Sequence, residues 1–330
     1  MKVSYIVSLF TLVVVWWSMS AISNVINKSI MKEEHGGFCS IRTFESSNVM
    51  AVILYILLHK RIQLHFTRQH LYMVICHSLA SWAVIMSFTG GKVKLVQVIK
   101  AIEPFLNVFW ATWVLKETIS MESIFSIFIV VFGIIIACVH DTSYTWSALI
   151  LALFSSLAIT SRNNLMKMIS KTELKDENES VIAKGLKKYI SLGTYSFFFM
   201  VPFTVIELFI APSSPKCIPS TLFYSGTSHF LYNFTSFGVL AIMTSVSHSM
   251  ANIMKRVAII TIASVYFGNT LDTVDMIGIL LSCFGSMLYV LTKHQFTVSL
   301  TIYDKFTQYC FLYLIIIINV AVYYLYTMEI

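Results

Sequence analysis

The sequence predicts an all-α integral membrane protein. It reads as ten spanning helices in two inverted five-helix halves, with an eleventh helix near the C-terminus. Three observations predict this. Of 330 residues, 57% are hydrophobic and only 12% charged, with a mean hydropathy of +0.77. A soluble domain carries roughly 25% charged and 45–50% apolar residues. Apolar runs of about 20 residues, the length that crosses a bilayer, recur from end to end. The net charge is nevertheless +7, so the placement of the few cations carries information. With Gly at 12 and Pro at 5, collagen-like and disordered chains are excluded too.

Each run is bounded by polar or charged residues, and backbone groups left unpaired in lipid force each to be a helix. The first, 3–25, follows Lys2 directly; with no Ala-x-Ala signal, it is read as a span and not as a cleaved leader. Runs follow at 43–59, closed by Lys60-Arg61, at 70–90, closed by Lys92, and at 95–115, closed by Lys116. The fifth and sixth are 121–139 and 144–165. The longest polar stretch, 166–188, comes next and reads as a solvated linker. Beyond it lie 189–211, 225–245, 250–269 and 274–292, with Asp272 and Asp275 in a short loop before the last. A final run, 309–327, is expected to be the eleventh span. Five is odd, so two five-span halves lie in opposite orientations, the inverted-repeat plan of many secondary transporters. The organisation expected is a transporter body over 1–165 (repeat one about 1–140, helix six 144–165), a cytosolic linker over 166–188, the rest of repeat two over 189–293, and an extension over 294–330.

Loop cations set orientation. Thirteen Lys and Arg fall on one side, among them Lys2, Lys60, Arg61, Arg68 and the mid-chain lysines, and six on the other, among them Lys28, Lys32 and Arg42. The amino terminus and the mid-chain linker are therefore expected in the cytosol. The six cysteines form no CxxC pair and read as small apolar residues in helices, not as a metal or disulfide framework. The sequons at Asn27, Asn178 and Asn233 are short matches, two of them in or against spans. No P-loop, GxSxG or HExxH occurs, so no enzymatic set and no cofactor is expected, and nothing suggests nucleic acid as a partner.

Four of the 23 Lys and Arg remain inside the runs: Lys100, Arg162, Lys255 and Arg256. A cation at membrane depth costs about 3 kcal/mol on insertion scales and marks a functional site by default. Lys100 lies in the fourth span, and Lys255-Arg256 in the ninth, its equivalent in the second half. Converging cations suit a small dianion such as phosphate, with Lys as a compact charge and Arg as a bidentate fork. Lys100 could instead pair with Glu103, three residues on along the same helix, and both roles could hold together. Arg162 falls near the end of its run and could reach the interface. Glu207, late in span seven, is open to gating or snorkelling. Tyr232 opens a polar run, Tyr232-Asn-Phe-Thr-Ser236, in span eight. His248 lies in a Ser-rich segment read as a helix break between spans eight and nine, either as a structural histidine or as a substrate contact.

At these residues the chain resembles a known family. Ile99-Lys-Ala-Ile-Glu-Pro-Phe105 resembles the Ile-Lys-Ala-x-Glu-Pro-Phe signature of plastid triose-phosphate/phosphate translocators, in the drug/metabolite transporter superfamily. Ser247-His-Ser-Met-Ala-Asn-Ile-Met-Lys-Arg-Val257 is similar to that family's Thr-His-Ser-x-x-Asn-x-x-Lys-Arg-Val. Leu231-Tyr-Asn233, Ser161-Arg-Asn163 and Asn24-Val-Ile-Asn-Lys28 resemble further elements, in order from about residue 20 to 293. The resemblance implies the ten-helix drug/metabolite transporter fold and exchange of inorganic phosphate for a phosphorylated metabolite. It implies Lys100, Lys255 and Arg256 as phosphate-binding cations and Tyr232 as a substrate contact, with Arg162 and His248 beside them and Glu103, Asn252, Asn233 and Ser81 in support. A plastid envelope membrane is the implied location; an ER or Golgi carrier of nucleotide sugars or other organic anions is the alternative. The chain departs from the family in the third span, where Ser81 and Val84 stand at the places of a usual His and Thr. It departs again at Lys94-Leu-Val-Gln, where the family has Ser-Phe-Thr-His or similar.

Overall fold

The computed structural model describes residues 3–32, 39–62, 64, 66–114, 116, 120–136, 145–172, 180–210, 219–243, 245–268 and 272–294. Among them are eleven α-helices: α1 (Val3–Met31), α2 (Ser40–Leu58), α3 (Arg68–Gly90), α4 (Val93–Ile99), α5 (Glu103–Trp113), α6 (Met121–Ile136), α7 (Trp146–Thr172), α8 (Val181–Ile210), α9 (Pro219–Ile242), α10 (Ser245–Tyr266) and α11 (Thr273–His294). Counting α4 and α5 as one broken span, these are the ten expected elements. Four of them, at Ser40–Leu58, Arg68–Gly90, Trp146–Ser170 and Val181–Ile210, are long and apolar enough by composition to cross a membrane. The expected span at 309–327 lies outside the described residues.

The inverted repeat can be read from which helices touch. If each span is shifted by five, the contact pattern maps onto itself. α1 packs on α9 as α7 packs on α3. α2 meets α9 as α8 meets α3, and α1 meets α10 as α7 meets α4 and α5. The pairs α2–α8, α6–α11 and α4/α5–α10 are their own counterparts. A two-fold relation between five-span halves requires these pairings. Small residues let the self-paired helices approach closely, as membrane interfaces favour. A Cβ at Gly133 of α6 would meet the Gly278 carbonyl of α11 at 2.7 Å, and a Cβ at Gly193 of α8 would meet Ala51 of α2.

Several boundaries differ from the sequence expectation. Much of the polar stretch 166–188 is helix, since α7 runs to Thr172 and α8 starts at Val181. Lys, Met and Leu are good helix formers, so a helix continues past its apolar run. The fourth span is broken, not continuous. Pro104 has no N–H to give the Lys100 carbonyl, and Glu103 N–H bonds that carbonyl instead, tightening Lys100–Ile102 into a 3-10 turn. The break expected between spans eight and nine comes just before the Ser-rich segment: α9 ends at Ile242 and α10 begins at Ser245, so His248 lies in the opening turns of α10.

The cysteine reading also needs correction. Cys76 is a free thiol, but Cys39, at the N-terminus of α2, is disulfide-bonded. Spacing could not signal this, because folding decides which sulfurs meet. Asn27, in one of the sequons, is buried and accepts a 2.6 Å bond from Ser225 Oγ of α9. Asn178 lies outside the described residues.

Candidate functional site: a cationic centre between the two halves

Four helices, α4, α5, α7 and α10, bring the intramembrane cations together. Lys100 comes from the turn between α4 and α5, Arg162 from α7, and Lys255 and Arg256 from α10; the two lysines lie within electrostatic reach of each other and of both arginines. Glu103 joins them from the start of α5. The broken fourth span and α10 form one of the self-paired contacts, so the cations gather at the pseudo-two-fold axis.

Glu103 pairs with Arg256, not with Lys100 as the helix spacing suggested. Arg256 Nη2 stands 2.7 Å from Glu103 Oε2, with both side chains under 5% exposed. The 3-10 turn keeps Lys100 and Glu103 on one face, but the Glu103 carboxylate reaches across to α10 and bonds Arg256 instead. Arg256 Nη1 also donates to Gln97 Oε1 at 3.2 Å, and Gln97 Nε2 donates to Asn24 Oδ1 of α1 at 2.8 Å. Glu103 Oε1 has no hydrogen-bond partner, and Lys100 and Lys255 act on it through space. Among the described residues, neither lysine has a salt bridge or hydrogen bond. Lys100 is 8% exposed. Lys255 is half-buried, its Nζ lying 5.1 Å over the Trp16 ring and 5.6 Å over Tyr232. Such contacts steady a cation while leaving its N–H donors unused.

Arg162 does not reach an interface, because α7 extends ten residues beyond it; it is 2% exposed. Only neutral groups hold it. Nε and Nη2 donate to Asn163 Oδ1, while Nη1 donates to His77 Nδ1 of α3 at 3.0 Å and to Asn233 Oδ1 of α9 at 3.3 Å. Its guanidinium lies 5.0 Å over Phe237. The network runs on: Asn233 Nδ2 approaches His229 Nε2 at 3.4 Å, and His229 Nδ1 meets Ser47 Oγ of α2 at 3.0 Å. This chain assigns tautomers, with His77 protonated on Nε2 and His229 on Nδ1. His77 Nε2 is then a buried donor without an acceptor, as is Arg256 Nε.

The remaining expected residues divide into site and support. Tyr232 stands edge-on to His229 and beneath Lys255. Asn252 and Ser81 are buried. His248 is engaged structurally: its Nε2 meets Ser236 Oγ at 3.0 Å, and its ring stacks on Trp16 at 4.9 Å. Glu207 is buried and does not snorkel. It accepts from the N–H groups of Ile41 and Arg42 at 2.9 Å each and pairs with Arg42 Nε at 3.2 Å. It therefore caps the positive end of α2 from α8. Reasoning from sequence missed His77, His229, Gln97 and Trp16. His77 carried a faint signal, lying one helical turn before Ser81 in an otherwise apolar run.

The fold is that of a membrane transporter, built from two inverted five-span halves around a buried cationic centre. Its membership is specific: the chain matches the Triose-phosphate Transporter family over residues 7–290 and belongs to it. Like the other members it is a transporter and not an enzyme. Its relatives include the triose phosphate/phosphate translocator of the Flaveria pringlei chloroplast, 27% identical over 84% of this chain and 69% of that one. The chloroplastic phosphoenolpyruvate/phosphate translocator 1 of Arabidopsis thaliana is 25% identical, over 88% and 73%. A solved crystal structure shares the fold with a TM-score of 0.61 at 8% identity, covering 88% of this chain and 99% of that one.

Proposed function

We propose that the chain exchanges inorganic phosphate for a phosphorylated C3-type metabolite (triose phosphate, 3-phosphoglycerate or phosphoenolpyruvate) by alternating access. One observation carries the reading: four cations, three of them on repeat-related helices, share one buried centre with, among the described residues, a single carboxylate. The formal surplus is three positive charges, which a phosphate group with a second anionic group matches. The orphaned donors on His77 and Arg256 add to the demand for acceptor oxygens. Rocking of the two halves about the centre would expose it to each side in turn. Bound anion offsets the mutual repulsion of the cations and lets the site close, whereas the empty site resists closure. One-for-one exchange follows. Liposomes loaded with phosphate should take up labelled phosphate, and liposomes holding none should not; equal uptake by both would refute the coupling. Competition by triose phosphate, phosphoenolpyruvate, hexose phosphate and nucleotide sugars would rank the cargo.

The disulfide at Cys39 favours a second reading of location. Disulfides persist in oxidising compartments, so the α2 end carrying Cys39 suits a lumen of the secretory pathway, with the chain in ER or Golgi membrane and not in a plastid envelope. Imaging of the tagged chain against markers of both membranes separates the two.

A further inference from the structure

Outside the cationic centre, α2 carries an acid with no cation. Glu45 lies in the second turn, 6% exposed, and Asn48, 1% exposed, lies just under one turn further on. Glu45 Oε2 stands 2.7 Å from the Asn48 amide nitrogen. Glu45 Oε1 and Asn48 Oδ1 are both buried without a hydrogen-bond partner. Between them the two side chains present two orphaned acceptors and no spare donor directed at either. Buried polar groups are ordinarily satisfied, and a buried carboxylate is ordinarily paired with a cation.

Among the described residues, the neighbouring elements supply it no cation. On α2 itself, Arg42 is committed to Glu207 of α8. On α8, Ala51 opposite Gly193 and Arg42 opposite Glu207 fix an antiparallel register. The level of Glu45 and Asn48 then falls between Ser196 and Thr204, a stretch without a charged residue, and the buried Ser196 hydroxyl at its start also has no partner. The other titratable groups of α8 lie towards its start: Tyr189 and Tyr195, then Lys184, Lys187 and Lys188 beyond them. From α9 comes His229, bonded to Ser47 and Asn233, with Gly226 against Ser46. From α3 comes His77, which accepts from Arg162 and packs edge-on to Phe44.

We propose that Glu45 and Asn48 form a proton-binding site within the membrane, and that Glu45 carries one proton across with each exchange of unequally charged anions. The pair suits both protonation states. The ionised carboxylate accepts from the Asn48 N–H. Once a proton has bound, the neutral acid can donate O–H to the amide oxygen after the amide turns over, and 2.7 Å is an ordinary length for either bond. Loading is a simple addition of H⁺ to the carboxylate, reversed at the other side. The inference rests on the phosphate-exchange reading. A trivalent phosphorylated carboxylate moving against divalent phosphate leaves one negative charge uncompensated, and a co-transported proton cancels it.

The test uses the full chain in proteoliposomes with a pH-sensitive dye and phosphate inside. Addition of external phosphoenolpyruvate should acidify the lumen of wild-type vesicles in step with phosphate release, and phosphate self-exchange should not. Glu45→Gln should keep self-exchange and lose the acidification, and Glu45→Asp should restore it. Phosphoenolpyruvate exchange by wild type without acidification overturns the proton site and leaves the exchange reading standing, with no variant needed. Acidification by Glu45→Gln equal to wild type overturns it as well. Absence of any phosphate exchange by wild type overturns the exchange reading, and this proposal with it.

Discussion

Glu103→Gln is the most informative change to the cationic centre. It barely alters shape, yet it removes the one carboxylate that the described residues place there, raising the formal surplus from three charges to four. At the observed 2.7 Å between Arg256 and Glu103, the gross attraction at an effective dielectric constant of 20 is about 6 kcal/mol. Desolvation offsets part of this, and removing one partner of a buried pair costs about 3–5 kcal/mol in practice. Gln keeps an acceptor for the Arg256 N–H, which sets the expected loss near the lower end, about 3 kcal/mol. Phosphate should recover part of it, since its oxygens replace the missing acceptor. If the variant binds phosphate tenfold more tightly, saturating phosphate stabilises it by about 1.4 kcal/mol more than wild type. The assay is thermal unfolding in detergent over a phosphate titration, with exchange in liposomes beside it. The variant should melt lower without phosphate, gain more from phosphate, and turn over more slowly because the anion leaves reluctantly. Unfolding indistinguishable from wild type, with an equal phosphate-induced shift, would refute the competition between Glu103 and substrate for Arg256.

Three further outcomes follow from the same geometry. Lys255→Gln should abolish phosphate exchange while leaving the melting temperature unchanged or raised, because Lys255 has no acid to leave unpaired; exchange at the wild-type rate would remove it from the site. Glu207→Gln should destabilise the fold by about 1–3 kcal/mol, the cost of unsatisfied buried partners, yet leave exchange per folded molecule unchanged, since its work is to cap α2. Gly133→Leu should wedge α6 from α11, whose Gly278 carbonyl leaves no room for even a Cβ; size-exclusion chromatography in detergent should show loss of the monodisperse peak.

How much of this was legible in the sequence depended on range. Span number and order were legible because apolar runs and their charged borders are local. The four buried cations were legible because a charge in an apolar run is conspicuous. Their partners were not. Glu103 looked like a partner for Lys100, and the 3-10 turn does keep the two on one face, but the packing of α10 on the fourth span brings Arg256, over 150 residues away, to the carboxylate. Arg162 looked peripheral because its apolar run stops early, whereas the helix carries on in polar residues to Thr172. Glu207 looked functional because it is an acid at membrane depth, and only the fold shows the α2 amides it satisfies. The disulfide at Cys39 left no trace in cysteine spacing.

The way the cations are held bears on what a carrier must do. A site that transports must bind well enough to load and weakly enough to release. Arg162 is fixed by Asn163, His77 and Asn233, all neutral, so its orientation is set while its full charge remains for an anion. Lys255 is steadied by aromatic faces in the same spirit. Arg256 is the exception, since Glu103 already neutralises it. That division leaves three cations, Lys100, Arg162 and Lys255, on which Glu103 acts only through space, and a fourth that an anion would gain only by displacing a carboxylate. The displaced Glu103 would stand ready to retake Arg256, driving release. Four cations with four acids would not attract the anion, and four with none would not let it go; one acid among four permits both steps.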